Sequence, residues 1–142
     1  MGVSGLGLEF IEVSSFTSQL NDPNSGVVLG AFTAAEMAQA GELQPTKGRR
    51  LAARWAAKLA FLQAVSASNS AATTPLAAAD LAEIEVVNDS FGRPSLCITG
   101  EVAQIAEECL GSDWAAHVSL THEGNQAAAV VVIELTSTLG LE

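Results

Sequence analysis

Apolar residues recur along the chain either every three to four residues, as in a helix, or at every second residue, as in a strand. These patterns predict four helices and five strands. The longest helical pattern covers residues 49–67, where Leu51, Trp55, Leu59 and Leu62 share one apolar stripe. This stretch contains no Gly or Pro and is rich in Ala, Leu and Arg, which are strong helix formers. We therefore expect residues 49–67 to form a long central helix.

The other elements follow from alternation, capping signals and turns. Strands are predicted at 3–13, 83–87, 95–99, 116–121 and 127–135, and further helices at 14–20, 33–40 and 101–110, with a helical turn at 76–81. Thr33 and Glu36 fit a capping box. The stretch 127–135 is almost continuously apolar, so we expect it to be a central strand. The order predicts one α+β domain over residues 1–142, with helices against one face of a mainly antiparallel sheet.

Composition and charge narrow the class of protein. The 142 residues are 49% hydrophobic and 15% charged, which favours an ordered globular chain. The formal net charge of -10 argues against nucleic acid as a partner. No apolar run is long enough to cross a membrane and the N-terminus lacks a basic region before an apolar core, so we expect no membrane partner and a cytoplasmic protein. Cys97 and Cys109 are expected to be buried or half-buried thiols in a reducing compartment, and neither a disulfide nor a metal pair.

Five of the six basic residues lie between Lys47 and Lys58. Arg50, Arg54 and Lys58 recur every fourth residue, so they form a cationic stripe beside the apolar stripe of the central helix. One interpretation is that these cations hold phosphate groups. The alternative is that they only balance an acidic protein at its subunit contacts.

Five segments carry a resemblance to a known family. They are 5–9 (GLGLE), 32–36 (FTAAE), 51–58 (LAARWAAK), 84–86 (IEV) with 92–94 (GRP), and 117–123 (HVSLTHE). With these segments in this order the chain resembles the small holo-acyl-carrier-protein synthases, the short class of 4'-phosphopantetheinyl transferases. The resemblance spans nearly the whole chain.

The resemblance implies a 4'-phosphopantetheinyl transferase-like fold and a homotrimer with coenzyme A bound between neighbouring subunits. It also implies that Mg²⁺ clamps the pyrophosphate while the serine of an acyl carrier protein attacks the phosphoryl group. Arg54, Lys58 and Arg93 match family positions and are candidates for holding phosphates, and His122 would lie near the nucleotide.

Three positions depart from the family pattern. Glu9 stands where the family has an Asp metal ligand, Leu59 replaces a second metal carboxylate, and Gln63 replaces a functional Lys. Leu59 cannot ligate a metal ion. Positions 59 and 63 are one helical turn apart, so both changes alter the same face.

These departures favour a first hypothesis, in which the fold has lost phosphopantetheinyl transfer and requires no cofactor or metal. It would bind, and by acid/base chemistry cyclise or isomerise, a hydrophobic polyketide-like molecule in the cleft between subunits. The catalytic residues would be Glu9 and His122. The ligand-binding residues would be Phe10, Arg54, Lys58, Leu59, Phe61, Leu62, Gln63 and Arg93.

Two alternatives stay open. The chain is a working synthase that uses coenzyme A and Mg²⁺, with Glu9 as the lone metal ligand of the first strand. Otherwise it is a trimer that binds without catalysis. An acyl carrier protein is a candidate partner both for the protein that has lost phosphopantetheinyl transfer and for the working synthase.

Overall fold

The computed structural model describes residues 2–24, 28, 30–68 and 80–136. Its strands and α-helices, in chain order, are β1 (Gly2–Glu12), α1 (Val13–Leu20), α2 (Ala34–Ala40), α3 (Thr46–Ser68), β2 (Ile84–Asn88), β3 (Pro94–Ile98), α4 (Gly100–Leu110), β4 (Trp114–Glu123) and β5 (Gln126–Leu135), and a short 3₁₀ helix (Leu81–Glu83) precedes β2. This order confirms the predicted α+β arrangement.

Two antiparallel units form the β-structure. The first is a three-stranded sheet in the order β1-β5-β4, so the apolar strand β5 is central, as its sequence predicts. The second is the hairpin of β2 and β3, in which Val86 pairs with Leu96. Two short apolar runs on either side of a turn are typical of a hairpin.

The helix α3 packs across the three-stranded sheet and is the core of the molecule. It extends from residue 46 to 68, slightly beyond the predicted limits, and twelve of its residues are buried. Gly5 and Gly7 of β1 lie directly against the backbone carbonyls of Ala64 and Ala60, and a Cβ at either glycine would overlap those oxygens. The glycines therefore allow strand and helix to approach closely.

The helix α2 begins with the capping box that the sequence predicts. The Thr33 hydroxyl accepts a hydrogen bond from the Glu36 backbone N–H, and the Glu36 carboxylate accepts one from the Thr33 backbone N–H. The predicted helical turn at 76–81 falls almost entirely outside the described residues. Across the part of the chain that the structure describes, no helix combines the length and apolarity needed to span a membrane.

The face of the three-stranded sheet opposite α3 presents apolar side chains to solvent. Along β1 these are Val3, Leu6, Leu8 and Phe10, and Phe10 is 66% exposed. Leu6 and Leu8 pair with Val132 and Val130 of β5, whose side chains also belong to this face. We call this surface the outer sheet face.

Candidate functional site

A polar pocket of about 460 Å³ lies where α2, α3, β4 and the β2–β3 turn meet. We call it the cationic pocket. Its lining residues are Gln39, Arg50, Ala53, Arg54, Asn88, Gly92, Pro94, Leu120 and His122. Among the described lining residues, Arg50, Arg54 and His122 carry titratable nitrogens and none carries a carboxylate.

Arg54 is the most deeply placed cation of this pocket and is only 5% exposed. It donates from Nη1 to the Arg50 carbonyl oxygen and from Nη2 to Gln39 Oε1, both at 3.2 Å. Its Nε is buried and has no hydrogen-bond partner among the described residues. Among the described residues, no carboxylate oxygen lies within ion-pair distance of the Arg54 guanidinium. A buried guanidinium with neutral partners and a free N–H is suited to bind an anion.

Burial and neighbouring charges change the pKa of the Arg54 guanidinium in opposite directions. Burial lowers the pKa of the Arg54 guanidinium, the negative charge of Glu36 raises it, and the nearby Arg50 lowers it again. An anionic ligand in the pocket would offset both the free-energy cost of burying the Arg54 charge and the repulsion between the two arginines. His122, near the end of β4, also lines the pocket.

The β2–β3 turn forms one wall of the pocket through Gly92 and Pro94. Asp89 organises this turn, because its carboxylate accepts hydrogen bonds from the Phe91 and Arg93 backbone N–H groups and from Arg93 Nε at 2.7 Å. The hydrogen bonds from Arg93 lower the pKa of Asp89. Arg93 is thus bound to Asp89 and stacks over Phe91 instead of lining the pocket.

Lys58, a predicted phosphate-binding residue, is fully buried. Its ammonium donates to Glu36 Oε1 at 2.8 Å and to the carbonyl oxygens of Leu81 and Ile84, and it lies over the Phe32 ring. Burial lowers the pKa of Lys58 and the Glu36 carboxylate opposes that change. The ammonium is therefore committed to a structural ion pair, and Lys58 does not line the cationic pocket.

Phe10 and Phe61, two of the residues predicted to bind a hydrophobic ligand, lie in different parts of the chain. Phe61 is fully buried against Trp114, and Leu62 packs against the same core. Phe10 belongs to the outer sheet face, whereas Gly7 on the alternate side of β1 contacts α3. Because successive strand residues point to opposite faces, Phe10 cannot share a cavity with Phe61. Leu59 is half-buried on α3.

Glu9 and His122, the predicted catalytic pair, lie apart in the sheet. Glu9 is opposite Ala129 and His122 is opposite Ala127, on the two strands that flank β5. Their Cα atoms are therefore about 12 Å apart, from the spacings of strands and residues in a sheet. Gln63 is engaged nearby, because its Oε1 accepts a hydrogen bond of 2.6 Å from the Leu8 backbone N–H.

The donor set around Glu9 does not fit a magnesium ion held by two carboxylates. Leu59 offers no oxygen, and no group of three His, Cys, Asp or Glu side chains suited to a metal occurs among the described residues. A role for Glu9 as a lone metal ligand stays a prediction, and we assign no chemical step to a metal.

Comparison with known proteins places this geometry in a family. No protein-family model matches the chain. The holo-[acyl-carrier-protein] synthase of Mycobacterium ulcerans (strain Agy99) is 39% identical over 134 residues, which cover 94% of this chain and 98% of the relative. The chain belongs to the holo-[acyl-carrier-protein] synthase family.

Solved structures of the family agree. The Chronobacterium ammoniagenes ACPS–CoA complex superposes with a TM-score of 0.84 at 30% identity, covering 94% of this chain and 98% of that one. The Mycobacterium tuberculosis acyl carrier protein synthase superposes with a TM-score of 0.73 at 36% identity, covering 94% and 99%. The predicted phosphopantetheinyl transferase-like fold is confirmed.

These findings contradict the hypothesis that the fold has lost phosphopantetheinyl transfer and binds, cyclises or isomerises a hydrophobic molecule. That hypothesis is wrong, because relatives covering nearly the whole chain are synthases. The expectation of no cofactor is wrong too, since a similar structure is a complex with CoA. The chain departs from the family at Leu59 and Gln63 but retains Arg54, which lines the cationic pocket.

Gln39 and Asn88 are polar pocket residues that the sequence did not reveal. Gln39 is a neutral residue near the end of a short helix, and Asn88 ends β2 beside a turn. Neither position belongs to a pattern of charge or spacing that distinguishes it from an ordinary solvent-exposed amide. The capping box did point to Glu36, although not to its ion pair with Lys58.

Proposed function

We propose that this protein is a holo-[acyl-carrier-protein] synthase that transfers 4'-phosphopantetheine from coenzyme A to a serine of an acyl carrier protein. The observation that carries the proposal is the cationic pocket, with Arg54 buried, without a carboxylate partner and with a free Nε. The membership of the chain in the synthase family supports the choice of coenzyme A as the anionic ligand.

In the proposed reaction the cationic pocket binds phosphate oxygens of coenzyme A. Arg54, Arg50 and His122 line this pocket and supply its N–H donors. A new bond forms between the serine oxygen and the phosphorus that carries the pantetheine arm, and the bond from that phosphorus to 3',5'-ADP breaks. The serine proton is released. Phosphoryl transfer depends mainly on positioning and on neutralising oxygen charge, which two arginines facing one pocket supply.

The transfer reaction can be tested directly with the purified chain. We expect an apo acyl carrier protein incubated with coenzyme A, Mg²⁺ and this protein to gain the mass of one phosphopantetheine arm in intact mass spectrometry. A carrier with its acceptor serine replaced by alanine should gain none. An unmodified carrier would refute the proposal, provided that an authentic synthase modifies the same preparation completely.

The outer sheet face supports a further part of this proposal, namely that three copies of the chain assemble through it. It exposes Leu6 and Phe10 by 54% and 66%, and an exposed apolar surface of this kind commonly marks an interface. The number three follows from the family resemblance.

Phe10→Glu should therefore dissociate the assembly. A buried carboxylate without a partner is costly, so we expect a lower mass by size-exclusion chromatography with light scattering, and three times the chain mass for the unchanged protein. Phe91→Glu makes the same change at a residue that is 81% exposed on the β2–β3 turn and should remain trimeric. An unchanged mass for Phe10→Glu would exclude this face as the interface.

A further inference from the structure

Gln39 connects two walls of the cationic pocket. Its Oε1 accepts hydrogen bonds from Arg54 Nη2 and from Asn88 Nδ2, both at 3.2 Å, and its backbone oxygen accepts one from Arg50 Nη1 at 3.4 Å. Arg50 and Arg54 belong to α3, whereas Asn88 ends β2 just before the turn that carries Gly92 and Pro94. One residue of the short helix α2 thus joins the cations to the opposite wall.

The bond from Gln39 controls the direction of the Arg54 guanidinium. With Nη1 bound to the Arg50 carbonyl and Nη2 bound to Gln39, two of its three nitrogens are engaged. Because the guanidinium is planar, two fixed nitrogens also fix the direction of the free Nε–H. Long side chains lose considerable rotamer freedom on binding, so an arginine already held in place loses less when an anion arrives.

The neutrality of Gln39 is also important. An ionised carboxylate in its place would form an ion pair with Arg54 and offset the positive charge that attracts a phosphate. An amide oxygen accepts the same hydrogen bond while leaving the charge of the guanidinium uncompensated. Gln39 itself is exposed, so its bonds contribute little to the free energy of unfolding.

We propose that Gln39 is a positioning residue for coenzyme A binding, acting through Arg54 and coupling it to the β2–β3 turn. The proposal rests on the function proposed above and adds a residue that is not itself required to contact the ligand. It predicts a defect in coenzyme A binding, because Arg54 lines the pocket proposed for the phosphates of coenzyme A.

The test is calorimetric titration of coenzyme A into the full chain and its variants. Gln39→Met keeps the length of the side chain and removes the acceptor, so we expect the Kd for coenzyme A to rise about tenfold. In the transfer assay the KM for coenzyme A should rise while the KM for the carrier protein stays constant. Gln104→Met makes the same change on the exposed face of α4 and should match the unchanged protein.

A double-mutant cycle separates positioning from a general structural effect. If Gln39 acts through Arg54, the double variant Gln39→Met with Arg54→Met should have the same Kd for coenzyme A as Arg54→Met alone. An unaltered Kd for Gln39→Met alone, or a tenfold further loss in the Arg54→Met background, would overturn the proposal. Failure of the unchanged protein to bind coenzyme A would instead refute the proposed function, so the two failures are distinguishable.

Discussion

Replacing Arg54 with methionine is expected to weaken coenzyme A binding more than any other single change in the cationic pocket. The guanidinium is 5% exposed, it has no carboxylate partner among the described residues, and its Nε lacks a hydrogen bond. Hydrogen bonds to charged groups contribute about 1.5–3 kcal/mol each, so one lost contact raises the Kd about 10- to 150-fold. Titration calorimetry with coenzyme A would measure this change.

Fold stability should hardly respond to Arg54→Met. The methionine side chain fills most of the buried space that the arginine side chain occupies. The hydrogen-bond acceptors of Arg54 belong to Gln39 and Arg50, which are exposed residues. Arg49→Met is a matched control, since it removes a cation of the same helix that does not line the cationic pocket. Equal Kd values for the Arg49 and Arg54 variants would show that the buried guanidinium does not bind the ligand.

Lys58→Met should destabilise the fold by about 3–5 kcal/mol, the usual cost of removing one partner of a buried ion pair. The Lys58 ammonium and the Glu36 carboxylate are both inaccessible to solvent and 2.8 Å apart. Without Lys58, the carboxylate keeps, among the described residues, the backbone N–H groups of Thr33 and Val86 as donors. The carbonyl oxygens of Leu81 and Ile84 each lose the hydrogen bond from the ammonium. Urea denaturation at one fixed protein concentration would measure the free energy of unfolding.

Two further variants make this prediction specific. Lys47→Met is the same change on the first turn of α3, at a half-buried residue without an ion pair among the described residues, and it should cost less than about 1 kcal/mol. The double change Glu36→Gln with Lys58→Met should be less destabilising than the sum of the single changes, because no buried charge is left unpaired. Strict additivity would mean that the two groups do not interact.

The helices and strands follow largely from local sequence. The stripe at Leu51 and Trp55 predicted α3, the Thr33–Glu36 box predicted the start of α2, and the apolar run in β5 predicted its central place. Each signal lies within one element, where the periodicity of helix or strand directly sets which side chains are buried.

The site was only partly predictable, because charge along a helix does not reveal what packs against each residue. Arg50, Arg54 and Lys58 share one predicted stripe, yet the arginines line a pocket and the lysine enters the core. At 3.6 residues per turn, each step of four residues turns about 40° around the helix axis, so Lys58 lies about 80° from Arg50 and faces α2 and β2. The segments that meet Lys58 lie more than twenty residues away, so no local pattern contains this information.

The amino-acid order alone was sufficient for the elements, for the family and for the position of the cations on one helix, since periodicity and motif spacing are properties of neighbouring residues. Only the tertiary structure distinguishes the guanidinium of Arg54, which has no ion pair among the described residues, from the ion-paired ammonium of Lys58. Only the tertiary structure brings Gln39 and Asn88 to the same pocket. The reason is that burial and pairing depend on contacts between distant segments, and these contacts determine which charges remain available to a ligand.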